Sequence, residues 1–293
     1  DPHGDYHVYR GYSYQTPTQL SGINTRRLIP MCMNAAKWRE RAHAEFVKAL
    51  DLGAAGMLYD ECQHHGGAYY CFDPDHGHHV PAHVFSGDAD LLRGFHEIAD
   101  RRDPDFLFAG EALYDIESQF YPVSYTRIGL DHVPIHRYIN PGAGMMIAVT
   151  GYNDRITVNQ ALMFRYIISY EPRNFKGRLD EFPKTMRYGK QMDALRTRYS
   201  EYLWDAQFED TMGAQVTCDG QPFGTYTVFI SHATGKRAVV VSNFDYEKNV
   251  EITVTLDSSA SDLSVVTPEN PDTKSSDGTG EIPPLSTMIF LER

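Results

Sequence analysis

Two stretches of this chain end a run of small and apolar residues abruptly in a carboxylate. They are Gly53-Ala54-Ala55-Gly56-Met57-Leu58-Tyr59-Asp60-Glu61 and Asp105-Phe106-Leu107-Phe108-Ala109-Gly110-Glu111. An apolar run of this length, following an amphipathic stretch, reads as a strand covered on both faces, as in a parallel sheet. An acid placed where such a strand ends is set apart from the core that its neighbours build.

The pattern between and around these runs alternates strand with helix. A strand is expected over 27–33. Asn34 is a plausible N-cap for a helix carrying Trp38, Ala42, Phe46 and Ala49 at helical spacing, with Gly53 as the stop. Asp88 can cap a second helix whose apolar positions are Leu91, Leu92, Phe95 and Ile98, broken at Pro104. Further strands are expected at 127–130, 145–149 and 166–170, and Pro183 opens a long helix bearing Tyr188, Met192, Leu195, Tyr199 and Tyr202. Such alternation implies a parallel sheet with right-handed crossovers. The texture changes near Thr211. Beyond it, short apolar runs at 225–230, 237–241, 250–256 and 286–291 are separated by turn residues and show no helical period.

The fold expected is therefore α/β: part of a (β/α)8 barrel over residues 1–210, followed by a small all-β sandwich over 211–293. A complete barrel needs about 250 residues. The strand at 27–33 reads as the third of eight, so the chain is expected to be the C-terminal part of a longer protein whose N-terminal portion completes the barrel.

Composition narrows the partners. A net charge of −12 argues against nucleic acid or an anionic membrane surface, both of which select basic patches. No stretch of about 18 apolar residues is present to span a bilayer. Phe, Trp and Tyr together, 19 of them tyrosines, make an aromatic share of 12%, compatible with sugar stacking but equally with core packing.

In a (β/α) barrel the C-terminal ends of the strands line the active-site mouth, which places Asp60 and Glu111 there as candidate catalytic residues. Two carboxylates on neighbouring strand ends suit the cleavage of a glycosidic bond. One protonates the departing oxygen while the other attacks the anomeric carbon or activates water. A general acid working near neutral pH needs a raised pKa, which burial or a neighbouring ionised carboxylate supplies. Glu61 offers another assignment, as the acid of a two-glutamate barrel, but the strand near 145–151 lacks the partner glutamate.

The loop 61–87 concentrates Cys62, His64, His65, Cys71, His76, His78, His79 and His83, and so holds six of the 13 histidines. A zinc site is one reading, although neither a CxxC pair nor a His-x₃₋₅-His finger with its partners is present. Hydrogen bonding of neutral imidazoles to sugar hydroxyls is another. Substrate contact is the reading adopted for Glu61, His64, His65, His76 and His78, with no metal ligand and no cofactor assigned. A Cys62–Cys71 disulfide is also sterically conceivable and would place the protein in an oxidising compartment, secreted or periplasmic. Cys32 and Cys218 read as ordinary thiols. Arg127, His132, Asn153, Asp154 and Glu171 flank later strand ends and complete the set of expected substrate contacts.

An Asp ending one barrel strand and a Gly-Glu ending the next resembles the α-amylase superfamily, and also the endo-α-N-acetylgalactosaminidase family. The segment from Trp38 to Asp60 and the loop Cys71-Phe72-Asp73-Pro74-Asp75-His76-Gly77-His78 are similar to a wider group of bacterial barrel glycosidases. The resemblance covers about residues 27–210. It implies a retaining hydrolase of α-linked glycosides, with Asp60 as nucleophile and Glu111 as acid/base, acting on an oligosaccharide or polysaccharide. The 51 positions between the two acids exceed the amylase spacing, and no Asn-His-Asp triplet follows; Asn153-Asp154 is the candidate for a third acid. Two other classes remain open: a non-catalytic carbohydrate-binding barrel, and a metal-dependent hydrolase built on the histidine loop 62–83.

Overall fold

The computed structural model describes residues 31–60, 69–111, 115–151, 153–171, 178–257 and 262–293. The chain divides into two compact units, residues 1–124 and 125–293.

In the first unit, helix α1 (Ala36–Asp51) precedes strand β1 (Gly56–Tyr59). A two-stranded hairpin follows, β2 (Tyr70–Cys71) with β3 (Ala82–His83), then helix α2 (Asp88–Asp100) and strand β4 (Leu107–Glu111). Phe46 of α1 and Leu91, Leu92, Phe95 and Ala99 of α2 are buried in one cluster with Phe106 and Phe108. These are largely the positions that the helical period marks. Phe46 meets Phe95, Phe106 and Phe108 with ring centroids 4.9, 5.4 and 5.8 Å apart, tilted or edge-on, geometries that aromatic quadrupoles favour. Gly53, at φ +87°, turns the chain out of α1, a backbone state that suits glycine.

β1 and β4 run parallel, with Gly56 opposite Leu107, Met57 opposite Phe108, Leu58 opposite Ala109 and Tyr59 opposite Gly110. Met57, Tyr59 and Phe108 pack on the helix-covered face. Strand alternation therefore assigns Leu58, Leu107, Ala109 and Glu111 to the opposite face.

Several boundaries differ from those expected. Residues 31–33 are not a strand, and the rest of the expected strand at 27–33 lies outside the described residues. Asn34 does not cap α1: Ala35 occupies the cap position, while the Asn34 amide donates to Ser86 Oγ at 2.8 Å. Asp88 is the first residue of α2 rather than its cap, where its charge and that of Asp90 suit the positive end of the helix. β1 is not buried on both faces; its residues alternate between exposed and half-buried. The strand expected at 127–130 lies earlier, as β5 (Val123–Thr126).

In the second unit, strand β6 (Gly144–Val149) pairs in parallel with β7 (Ile167–Tyr170), Val149 lying opposite Tyr170. Helix α3 (Ile135–Ile139) precedes β6, and α4 (Arg155–Met163) connects β6 to β7. Helix α5 (Pro183–Arg198) begins with proline at its first turn, where the missing N–H costs nothing, and a short α6 (Ser200–Leu203) follows.

Antiparallel structure then takes over. The strands are β8 (Ala206–Phe208), β9 (Ala214–Cys218), β10 (Gln221–Pro222), β11 (Tyr226–Ser231), β12 (Arg237–Asn243), β13 (Val250–Leu256), β14 (Leu263–Val266), β15 (Lys274–Ser276), β16 (Thr279–Ile282) and β17 (Ser286–Glu292). One sheet has the order β10–β9–β13–β16 and the other β15–β14–β17–β12–β11–β8. Val216, Ile252 and Val254 of the first sheet share a core with Val228, Val239, Val241 and Phe290 of the second. The strand β12 (Arg237–Asn243) is buried almost throughout, unlike a half-solvated antiparallel strand. Its Val239 and Val241 enter the core between the sheets, while Ala238 and Val240 join Val158, Leu162, Met192 and Leu195 from α4 and α5. Both faces of β12 are thus covered.

Among the described residues of this unit, two arginines are fully buried. Arg137 donates to the carbonyls of Phe164, Pro141, Ala143 and Arg165 at 3.0, 2.6, 3.0 and 3.1 Å. Burial lowers its pKa to about 10, with nearby Arg165 adding to the effect. Arg196 donates to the Tyr166 carbonyl at 2.7 Å and lies 3.7 Å from the Trp204 ring centroid. Burial lowers its pKa to about 9.

Phe46→Ala is expected to destabilise the first unit by about 3–5 kcal/mol, because three aromatic partners lose contact with a side chain that is 4% exposed. Chemical denaturation followed by near-UV circular dichroism checks this.

Candidate functional site

The strands β1 and β4 leave off side by side. Their pairing ends with Tyr59 opposite Gly110, and each chain continues into an acid, Asp60 and Glu111. Parallel strands lie about 4.8 Å apart, so the shared register delivers both carboxylates to one end of the strand pair. Their environments differ. Glu111 is 4% exposed, whereas Asp60 stands in the exposed turn that follows β1. Gly110, between Ala109 and Glu111, leaves the backbone beside the acid without a side chain.

The remaining expected contacts fall in separate places. Glu61, His64 and His65 lie outside the described residues, as does Cys62. In the second unit, Glu171 follows the C-terminal end of β7 and is buried. Its backbone N–H donates to the Val149 carbonyl at 2.9 Å. Tyr125 Oη donates to Oε2 at 2.6 Å and Ser169 Oγ to Oε1 at 2.9 Å, while the Arg127 guanidinium lies 4.0 Å from Oε2. Arg127 also lies 5.4 Å from the Tyr125 ring centroid. A small hollow beside Glu171 is lined by Val149, Gly151, Tyr170, Phe182 and Thr185.

Asp154 is the N-cap of α4. Its Oδ2 accepts from the N–H groups of Thr150 and Gly151, both at 3.1 Å, and its Oδ1 from Thr157 N–H at 3.2 Å. This binds the carboxylate into the β6–α4 turn. Asn153, next to it, is exposed. His132 is half-buried, with Nε2 2.8 Å from Tyr166 Oη and its ring edge-on to Phe164 and Tyr166. Burial pushes its imidazole below the ordinary 6.5, with His136 adding to the shift and Asp131 opposing it.

The hairpin β2–β3 brings together residues that the sequence reading kept apart. Cys32, Cys71, His76 and His78 present ligand-type atoms all within 4.8 Å of one another. Cys71 Sγ lies 3.2 Å from His76 Nδ1, and Cys32 Sγ lies 3.4 Å from His78 Nε2. The far nitrogen of each ring meets an acceptor: His76 Nε2 is 3.5 Å from Asp73 Oδ2, and His78 Nδ1 is 2.9 Å from the His79 carbonyl. Cys71 carries a free thiol, and Cys62, the partner considered for it above, lies outside the described residues. Burial pushes the Cys32 thiol up, the neighbouring Cys71 adds to this, and backbone N–H groups of Asn34 and Ala35 pull the other way. His76 and His78 were expected to touch sugar; here both face sulfur. Cys32 gave no local signal, because it sits between Met31 and Met33 in a run that reads as strand interior, 39 positions before Cys71. The spacing of Cys71, His76 and His78 was the available clue.

No family model matches the chain, and a search of curated proteins finds no match. Solved structures with a similar fold include the noncanonic maltogenic α-amylase AmyB of Thermotoga neapolitana, at TM-score 0.53 and 10% identity over 88% of this chain and 66% of that one. They also include an Anoxybacillus α-amylase, at 0.51 and 10% identity over 91% and 64%. Amy13B of Eubacterium rectale matches at 0.51 and 10% over 89% and 64%. The chain thus has a fold like that of these α-amylase structures and spans about two thirds of their length.

Two outcomes follow from the capping and burial. Asp154→Ala should cost about 0.5–2 kcal/mol, the usual loss of a cap, read as a lower denaturation midpoint. The His132 imidazole is harder to protonate folded than unfolded, so its contribution is intact above pH 6.5 and is lost as pH falls below that value. The melting temperature of wild type should consequently drop more steeply between pH 7 and 5 than that of His132→Gln, in paired scanning calorimetry runs.

Proposed function

We propose that the protein is a glycoside hydrolase that cleaves α-linked glycosides with retention of configuration. The observation that carries the reading is the shared parallel register that ends β1 and β4 in Asp60 and Glu111. The similarity in fold to α-amylase structures supports the assignment to glycosidases. In this reading residues 1–210 contribute to a (β/α)8 barrel and 211–293 form a β-sandwich, and the substrate is an oligosaccharide or polysaccharide.

The chemistry follows from the two positions. Asp60 attacks the anomeric carbon while Glu111 donates a proton to the departing glycosidic oxygen, giving a covalent glycosyl-enzyme. Glu111, now ionised, takes a proton from water, and the resulting attack on the anomeric carbon releases Asp60 and the sugar. The exposure of Asp60 suits direct approach by the sugar ring. Carboxyl groups about 5–5.5 Å apart accommodate this double displacement, whereas about 6.5–9.5 Å leaves room for a water and leads to inversion.

Asp60→Asn and Glu111→Gln should each lower turnover on a cleavable α-glycoside by roughly 10²–10⁴-fold or more, the range associated with removing a positioned proton-transfer group or nucleophile. The rate is followed by release of reducing sugar across a glycan panel, with folding checked by circular dichroism. Early-time NMR of the product should show the α-anomer. Wild-type rates in both variants would sink the assignment, and β-product would replace retention by inversion.

A further inference from the structure

The cluster at the base of the β2–β3 hairpin has the composition and arrangement of a complete ligand set. Two thiols and two imidazoles converge, and each imidazole already has its second nitrogen engaged. The Asp73 carboxylate 3.5 Å from His76 Nε2 favours the proton on that nitrogen, and a hydrogen bond from His78 Nδ1–H to the His79 carbonyl does the same for His78, which leaves the lone pairs on His76 Nδ1 and His78 Nε2. Those are the atoms that face the sulfurs. An imidazole oriented through its far nitrogen by a carboxylate or a carbonyl is the usual support for a metal-bound histidine.

The geometry points to a structural zinc site formed by Cys32, Cys71, His76 and His78. Bond lengths of about 2.3 Å to sulfur and 2.0–2.1 Å to nitrogen put tetrahedral donors about 3.3–3.8 Å from one another. Of the two sulfur–nitrogen distances, 3.4 Å falls within that spacing and 3.2 Å lies just below it, and no pair of the four donor atoms is more than 4.8 Å apart. Thiolate with imidazole selects zinc over magnesium or calcium, which prefer oxygen. All four positions are supplied by side chains, as in closed, non-catalytic zinc centres.

The surroundings fit a staple. Asp73 caps the short turn Pro74–His76 by accepting from Asp75 N–H at 2.9 Å, and Gly77 at φ +73° then swings the chain so that His78 follows His76 into the cluster. Met33 N–H donates to the Val84 carbonyl at 2.7 Å, and Val84 N–H to the Tyr69 carbonyl at 3.0 Å. Cys32, Ala35, Cys71 and Val84 are buried together, with Trp38, Tyr69 and Phe85 packed against them. Zinc would tie the segment that leads into α1 to the hairpin lying between β1 and α2. Neither Asp60 nor Glu111 belongs to this ligand set, so the inference stands apart from the glycosidase reading.

The test is elemental analysis of the full chain, expressed with zinc in the medium and purified without chelator. About one zinc per chain is expected in wild type and in the controls Cys218→Ser and His79→Gln, falling to background in Cys32→Ser, Cys71→Ser and His78→Ala. A folding defect in those variants is bypassed by stripping wild type with a chelator and titrating it with Co²⁺. Saturation near one equivalent, with a thiolate-to-cobalt charge-transfer band and the strong visible absorption of a tetrahedral site, is the expected result, together with a lower melting temperature for the stripped protein. Zinc-free wild type that shows no cobalt–thiolate band would overturn the site. So would mass spectrometry showing Cys32 and Cys71 joined as a disulfide in the purified protein.

Discussion

The alignment of two parallel strands is the constraint on which the candidate site depends. Because β1 and β4 pair in phase up to Tyr59 and Gly110, the next residue of each is an acid. A shift of one residue would move Asp60 away from its neighbour and transfer every side chain of β1 to the other face. The register is held from the helix side, where Met57, Tyr59 and Phe108 join the aromatic cluster around Phe46 and Phe95. Core packing on one face of the strands thus fixes the placement of chemistry at their ends.

The second unit is organised by a different means. Arg137 satisfies much of its guanidinium with backbone carbonyls around β6 and the α4–β7 turn, rather than with a carboxylate. A planar fork of donors suits that task where a lysine ammonium would not. Asp154 serves the opposite need at the other end of β6, collecting backbone N–H groups. Asp154, one of the expected substrate contacts, is here engaged with the backbone of the β6–α4 turn, while Arg137 gave no signal in the sequence.

Elements with a strong period were legible from sequence. The faces of α1, α2 and α5, the capacity of Pro183 to open a helix and the turn at Gly53 all follow from local chemistry, and so does the change to antiparallel strands after α6. Positions set by tertiary contact were not. Asn34 looks like a cap but bonds to Ser86, and β5 begins four residues before the strand expected there. His132 looks like a mouth residue but packs on Tyr166. That Asp60 and Glu111 stand where β1 and β4 end was legible because each interrupts an apolar run, a signal carried within one segment. The Cys32–Cys71–His76–His78 cluster was not, because one of its four members is remote in sequence and buried in an apolar context.

The double coverage of β12 has a consequence for how this chain can be taken apart. Ala238, Val240, Ile289 and Leu291 line the outer face of the six-stranded sheet and are 0–3% exposed beneath α4, α5 and α6. A fragment cut at the helix-to-strand transition near residue 210 would present this apolar surface to water. Such a surface invites self-association. The antiparallel region is therefore not a detachable module in the sense its sequence suggests: its solubility as a separate piece depends on helices that precede it in the chain.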